Sequence, residues 1–185
     1  LAQFLMKHLE TSGLKFYLEA MVEKIEPDRI PMRQGGELIQ VKGSSVLVAV
    51  GRKPNISLLD GQLKNQLINN TGAIETNELM KTRVNSLWAV GDVNGKYLLA
   101  HVATAEGLVV ASNIAGKMAE MDYRYIPQCV YTELELAGVG LTEAEAKKDN
   151  IDYNVAHFPV TSNGKALCEG VSGGMIKMLV GKKYS

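Results

Sequence analysis

The chain has 185 residues, 46% of them hydrophobic, with 20 Lys and Arg balanced by 20 Asp and Glu. That is enough apolar material for a packed core and excludes wholesale disorder. Zero net charge gives no electrostatic reason to expect a nucleic-acid or anionic-membrane partner, and no apolar run approaches the roughly 20 residues that span a bilayer. The segment opening at Leu1 is not the basic-then-apolar pattern of a secretory leader.

In chain order, Leu1 to about Ser12 has helical spacing. Leu1, Phe4, Leu5 and Leu9 share a face, and Gly13 is placed to stop the helix. Leu14, Phe16 and Leu18 then alternate with polar residues, which predicts a strand continuing through Val22 and Ile25. Pro27-Asp28 and Gly35-Gly36 mark turns, and Glu37 to Lys42 reads as a hairpin strand. Val46-Leu47-Val48-Ala49-Val50 is apolar on both faces and predicts a strand covered on both sides, ending at Gly51.

Residues from Ile56 to Lys81 read as loop, with a turn at Asn69-Asn70-Thr71-Gly72. Leu87 to Val90 predicts a second buried strand, ending at Gly91-Asp92. Ala100 to about Lys117 predicts a helix whose Ala103, Gly107, Ala111 and Ala115 make a smooth stripe suited to close packing. From Tyr125 onward the pattern changes to short strands. These are Gln128 to Tyr131, Tyr153 to Phe158 and Met175 to Val180, with a capping box at Thr142-Glu143-Ala144-Glu145 before a short, solvated helix. Lys182-Lys183 reads as a turn. Both ends look cut: the first segment begins inside a helix, and the last strand has an open edge.

The two cysteines, Cys129 and Cys168, are far apart and read as reduced thiols used in packing. His8, His101 and His157 are isolated from one another and from the cysteines, so no metal site is expected. One constellation carries chemistry. A buried strand ending in Gly91-Asp92, followed by a small-faced helix, offers close backbone approach, a carboxylate for ligand hydroxyls and free helical N–H groups. The same residues also serve as a plain turn with a helix cap, and taken alone they leave both readings open.

Three stretches in order carry a resemblance. Thr82-Arg83-Val84-Asn85-Ser86-Leu87-Trp88-Ala89-Val90-Gly91-Asp92 resembles the second flavin-binding motif of the pyridine nucleotide-disulfide oxidoreductases. Val46 through Asn55 resembles their strand leaving the nicotinamide-binding domain. Tyr131-Thr132 through Glu135, then Ala137, Val139-Gly140, Thr142-Glu143 and Ala146-Lys147, resembles the opening of their dimerisation domain. The implied fold is α/β: a partial two-dinucleotide-binding-domain FAD/NAD(P) fold plus the start of an α+β dimerisation domain. Residues 1–52 would be the second half of the NAD-binding domain, 53–123 the C-terminal part of the FAD-binding domain, and 124–185 the N-terminal part of the dimerisation domain.

The resemblance implies that Asp92, with Gly91, meets the ribityl part of FAD. It implies that Leu98, Leu99, Ala100 and His101 lie against the flavin ring through their backbone, and that Gly51 and Val22 touch NAD. Leu98-Leu99-Ala100-His101 looks like the branch that oxidises dihydrolipoamide; glutathione reductases usually carry Thr-Pro at Ala100-His101. By the same resemblance the intact enzyme is a cytoplasmic homodimer serving the lipoyl-bearing protein of a 2-oxo acid dehydrogenase or related complex. The alternatives are a glutathione- or mercuric-reductase-like enzyme, or a non-catalytic dinucleotide-binding or assembly module. Leu134 and Asn85 stand where the family usually has Pro, and Asn150 where it commonly has Gly. The chain contains no G-x-G-x-x-G and no close cysteine pair, so no catalytic residue is assigned to it.

Overall fold

The computed structural model describes residues 2–171 and 173–184, without the side chain of Tyr184. The chain divides into two units. One runs to Asp122 and takes in Val130–Leu136; the other comprises Tyr123–Cys129 and the chain from Ala137 onward.

In the first unit, α1 spans Ala2–Thr11. Gly13, at φ 92°, ends it, donating to the Glu10 carbonyl while Leu14 donates to Leu9. Leu5 and Leu9 are half-buried and Phe4 is exposed; Leu1 lies outside the described residues. The strand expected at Leu14, Phe16 and Leu18 does not form. The segment crosses the surface, all three side chains exposed, and its Leu18 carbonyl accepts from the Gln34 side chain instead of from a ladder. Only Met21–Val22 is strand, β1. It pairs antiparallel with β2, Arg29–Gln34, which pairs antiparallel with β3, Glu37–Lys42. The turn between β2 and β3 is Gly35-Gly36, both at positive φ, as a two-residue hairpin of matching twist requires.

The apolar run Val46–Val50 is not a strand and is not covered. Leu47 is 91% and Val50 92% exposed. A run apolar on both faces needs a neighbouring strand and a layer above and below it, and no strand among the described residues pairs with it. The Leu87–Val90 strand is likewise reduced to one bridge, Lys81 to Trp88, with Ala89 buried and Val90 exposed.

The stretch expected to be loop holds the core instead. Asp60 caps a helix, α2 (Gly61–Leu67), by accepting from the Leu63 N–H at 2.8 Å. Leu67, Ile74 and Ala89 form a buried cluster, with Ile56, Leu59, Leu63, Ile68, Val84, Leu87 and Val93 packed on it. Asparagines close the turns between these residues. The Asn69 side chain accepts from the N–H groups of Thr71 and Ala73, and the Asn77 side chain from those of Leu79 and Lys81. The helix expected from Ala100 forms as α3, Ala100–Ile114.

In the second part of the chain, β4 (Gln128–Val130) and β5 (Leu136–Gly138) form a two-stranded sheet. Thr142 and Glu145 make the expected capping box for α4, Glu143–Lys148, and the chain leaves it through Asn150 at φ 54°. Asn is among the non-glycine side chains that best tolerate that left-handed conformation. β6 (Tyr153–Pro159) pairs antiparallel along its length with β7 (Met175–Gly181). Between them lies a short helix not foreseen in the sequence, α5 (Gly164–Cys168), capped by Asn163. The outer edge of β7 is open among the described residues, as expected.

A two-stranded ribbon alone is marginally stable, and α4 braces this one. Glu143 accepts from Lys177 of β7 and, at 3.2 Å, from the Tyr153 hydroxyl of β6. Glu145, Lys147 and Lys148 of α4 are exposed, as expected from its charges, and Glu143 is the charged residue held back by these contacts. Lys177 first, and Tyr153 second, hold the Glu143 carboxyl below the usual glutamate range. A depressed folded-state pKa stabilises the fold above the unfolded value, about 4.3, and that contribution disappears as pH falls through the lowered value. Thermal unfolding of the chain between about pH 6 and pH 3 is therefore expected to show a shallower acid decline for Glu143→Gln than for the parent. Superimposable declines would mean that the contact contributes nothing.

Candidate functional site

The site is built where residues 91–94 meet the start of α3. Gly91–Asn94 forms one 3-10 turn. Gly91, at φ 75°, sits so close to α3 that a Cβ there would stand 3.2 Å from the Ala103 methyl. Part of the small-residue stripe is used as expected: Ala103 admits the turn. Gly107 has open space where a Cβ would stand, and Ala111 and Ala115 are exposed.

One group that the sequence reading missed fastens this junction. Glu106, on the second turn of α3, is fully buried. A single oxygen of its carboxyl, Oε2, accepts the Gly91 N–H at 2.6 Å and the Asn94 side-chain amide at 2.9 Å. Asn94, itself buried, uses its other side-chain atom to accept the Lys96 N–H at 2.9 Å. A Glu inside an apolar helix is the sequence signal that could have found this, because a buried carboxyl requires hydrogen-bond partners. On its other side the turn is tied to the core by the Ile74 N–H, which donates to the Val93 carbonyl at 2.9 Å.

This frame sets Asp92 at the surface. Its side chain is 46% exposed, and its nearest cation is Arg52, with Nη1 3.4 Å from Oδ2. Both groups are largely solvated, so the pair is worth at most about 1 kcal/mol and leaves the carboxylate free to accept other donors. The Arg52 contact also brings Gly51 to the same neighbourhood. Gly51 is exposed at φ 106°, with open space where a Cβ would stand. Leu98, Ala100 and His101 are exposed, and Leu99 is half-buried as the residue before the first turn of α3. No side chain caps that helix start. Thus Gly91, Asp92 and Leu98 through His101 lie around one helix end, with Gly51 near them. Val22 stands apart in β1, half exposed and paired with Met32.

Cys129 is half-buried and Cys168 exposed, both free, so Cys168 is not the packing residue expected. Among the described residues no cluster of His, Cys, Asp or Glu could hold a metal, and no helix is long and apolar enough to cross a membrane.

Residues 1–107 match the sequence profile of the pyridine nucleotide-disulphide oxidoreductases, and residues 126–185 that of their dimerisation domain. The chain belongs to this family. Among curated relatives, it is 41% identical over 188 aligned positions to the dihydrolipoyl dehydrogenase of Vibrio cholerae, covering 96% of this chain and 39% of that protein. It is 38% identical to that of Thermus scotoductus, covering 96% and 40%. The chain spans about two-fifths of the length of the curated relatives it matches. Solved oxidoreductases share the α/β fold. The flavoprotein disulfide reductase RclA of Escherichia coli superposes with a TM-score of 0.85 at 24% identity, over 99% of this chain and 42% of that one. LpdA of Mycobacterium tuberculosis gives 0.85 at 20% identity, over 98% and 40%.

Among the described glycines, Gly95 has the closest neighbour. It lies at φ 70°, and a Cβ there would stand 2.6 Å from the Ala73 methyl. Gly95→Ala is expected to lower stability by about 1–3 kcal/mol, from backbone strain and the clash together. Urea unfolding measures it. An unchanged midpoint would show that this turn relaxes freely.

Proposed function

We propose that this chain is part of a dihydrolipoyl dehydrogenase, contributing one end of an FAD site, part of an NAD site and part of a homodimer interface. The observation that carries the reading is the half-exposed Asp92, set beside the uncapped start of α3 by a buried hydrogen-bond frame. The names of the relatives, at 34–42% identity, support the same reading.

The donor set fits a flavin. Asp92 accepts hydrogen bonds from the ribityl hydroxyls, a role its weak pairing with Arg52 leaves open. Gly91 allows the turn to sit against α3, and the backbone of Leu98, Leu99, Ala100 and His101 faces the flavin ring. The positive end of that helix favours an electron-rich ring oxygen. Gly51, with open space over its backbone, and Val22 face NAD. When bound, FAD and NAD carry the electrons that dihydrolipoamide gives up. The natural donor is then a lipoyl-bearing protein of a 2-oxo acid dehydrogenase or related complex. Separate reduced thiols fit a cytoplasmic setting. The division at 52/53 and 123/124 into NAD, FAD and dimerisation parts belongs to the same proposal.

The 185 residues alone are expected to retain no stoichiometric FAD and to show no turnover. They lack a Gly-rich pyrophosphate loop and a dithiol pair. A few polar contacts must then offset an immobilisation cost of about 4–15 kcal/mol. With its flanking sequence the polypeptide is expected to purify yellow and to form NADH from dihydrolipoamide, and Asp92→Ala should release flavin on dialysis. A yellow, active 185-residue chain would overturn the division of contacts. A flanked protein that reduces glutathione or mercuric ion, and not lipoamide, would favour the related reductases, and one without flavin the assembly module.

A further inference from the structure

We propose that Glu106 is a positioning residue for FAD, acting through Asp92. It does so by locking the Gly91–Asn94 turn onto α3, and the inference rests on the flavin reading above. A buried carboxyl in a helix carries a desolvation cost that an apolar side chain of similar volume would avoid. Two of the donors Glu106 accepts from belong to one structure, the turn bearing Asp92. The Gly91 N–H is the backbone amide immediately before Asp92, so its anchor fixes where the Asp92 side chain leaves the chain. Asn94, the second donor, closes the same turn from its far end.

Glu106 is also about one and two-thirds helical turns from Ala100, on the helix whose start forms the rest of the candidate flavin site. One carboxyl therefore sets the spacing between the two halves of that site, the aspartate and the helix end. The bonds from Gly91 and Asn94 fall on the same oxygen. A glutamine can present a carbonyl oxygen in that place and keep both bonds, in their weaker neutral form. An alanine keeps neither and leaves the Gly91 N–H and the Asn94 amide unpaired in a buried site.

The test uses the flanked, full-length flavoprotein, stripped of FAD and titrated with FAD by flavin fluorescence, with thermal unfolding of each apoprotein alongside. The variants are Glu106→Ala, Glu106→Gln, Asp92→Ala and the double variants Asp92→Ala with each Glu106 change. Glu106→Ala is expected to raise the Kd for FAD on the order of tenfold or more, and Glu106→Gln clearly less. In the Asp92→Ala background the Glu106 changes should lose most of their effect, because the group they position is already removed. A purely structural role predicts the same loss in both backgrounds and would overturn the inference, as would an unchanged Kd in Glu106→Ala while Asp92→Ala weakens binding. An unchanged Kd in Asp92→Ala would instead remove the flavin reading of Asp92, and the inference with it. If Glu106→Ala does not fold, Glu106→Gln in the two backgrounds decides: equal losses overturn, unequal losses support.

Discussion

The hydrogen bond from the Gly91 N–H to the buried carboxyl of Glu106 is the contact on which the geometry of the candidate site turns. With the Asn94 bond to the same carboxyl, it joins two segments 15 residues apart. The 3-10 turn is too short to be stable alone, and α3 presents a small-residue face that gives close approach but little apolar area. Close approach without a directional bond would let the turn slide along the helix. The carboxyl removes that freedom, and the Ile74 to Val93 backbone bond ties the same turn to the core from its other side.

The two parts of the chain solve the problem of a small core differently. In the first, residues 56–93 wrap Leu67, Ile74 and Ala89 with turns closed by asparagine side chains, so buried area comes from irregular backbone. In the second, a long antiparallel ribbon carries most of its side chains toward solvent, Phe158, Ile176 and Met178 among them. Exposed apolar side chains on a ribbon with an open edge are what a surface made for association looks like. Residues 126–185 match a dimerisation domain, and the exposed face accords with that.

What was legible in the sequence was what local chemistry decides. The Gly35-Gly36 hairpin, the Thr142–Glu145 capping box, the Asn69–Gly72 turn and the body of α3 each follow from residues that act on near neighbours. What failed was what depends on distant neighbours. Val46–Val50 has strand composition, but a strand exists only beside another, and Leu14–Leu18 finds a side chain in place of a ladder. The 56–81 stretch read as loop because asparagine and glycine punctuate it. Those residues mark turns without saying that the turns fold around a core, and the Asp60 cap of α2 passed unnoticed. At the site, Gly91, Asp92 and the start of α3 stood out as a strand ending before a small-faced helix, with motif resemblance choosing the reading, whereas Glu106 was hidden in a helix read by its small residues.

The uneven burial bears on how such a site works. The turn bearing Asp92 is tied to the core of residues 56–93 by the Ile74 to Val93 bond and to α3 by Glu106, while the exposed Val46–Val50 run leads directly into Gly51 and Arg52. Asp92 thus rests on packed residues, and Gly51 follows a segment that the described residues leave uncovered. Preorganisation lowers the cost of binding only where the binding groups are already fixed. Asp92 meets that condition within this chain. Gly51 meets it only when something covers the apolar run behind it, and the long, solvated Arg52–Asp92 pair is too weak to substitute for such a layer. The same 185 residues therefore present one contact surface that is set by their own packing and another whose shape is decided by what packs against Val46–Val50.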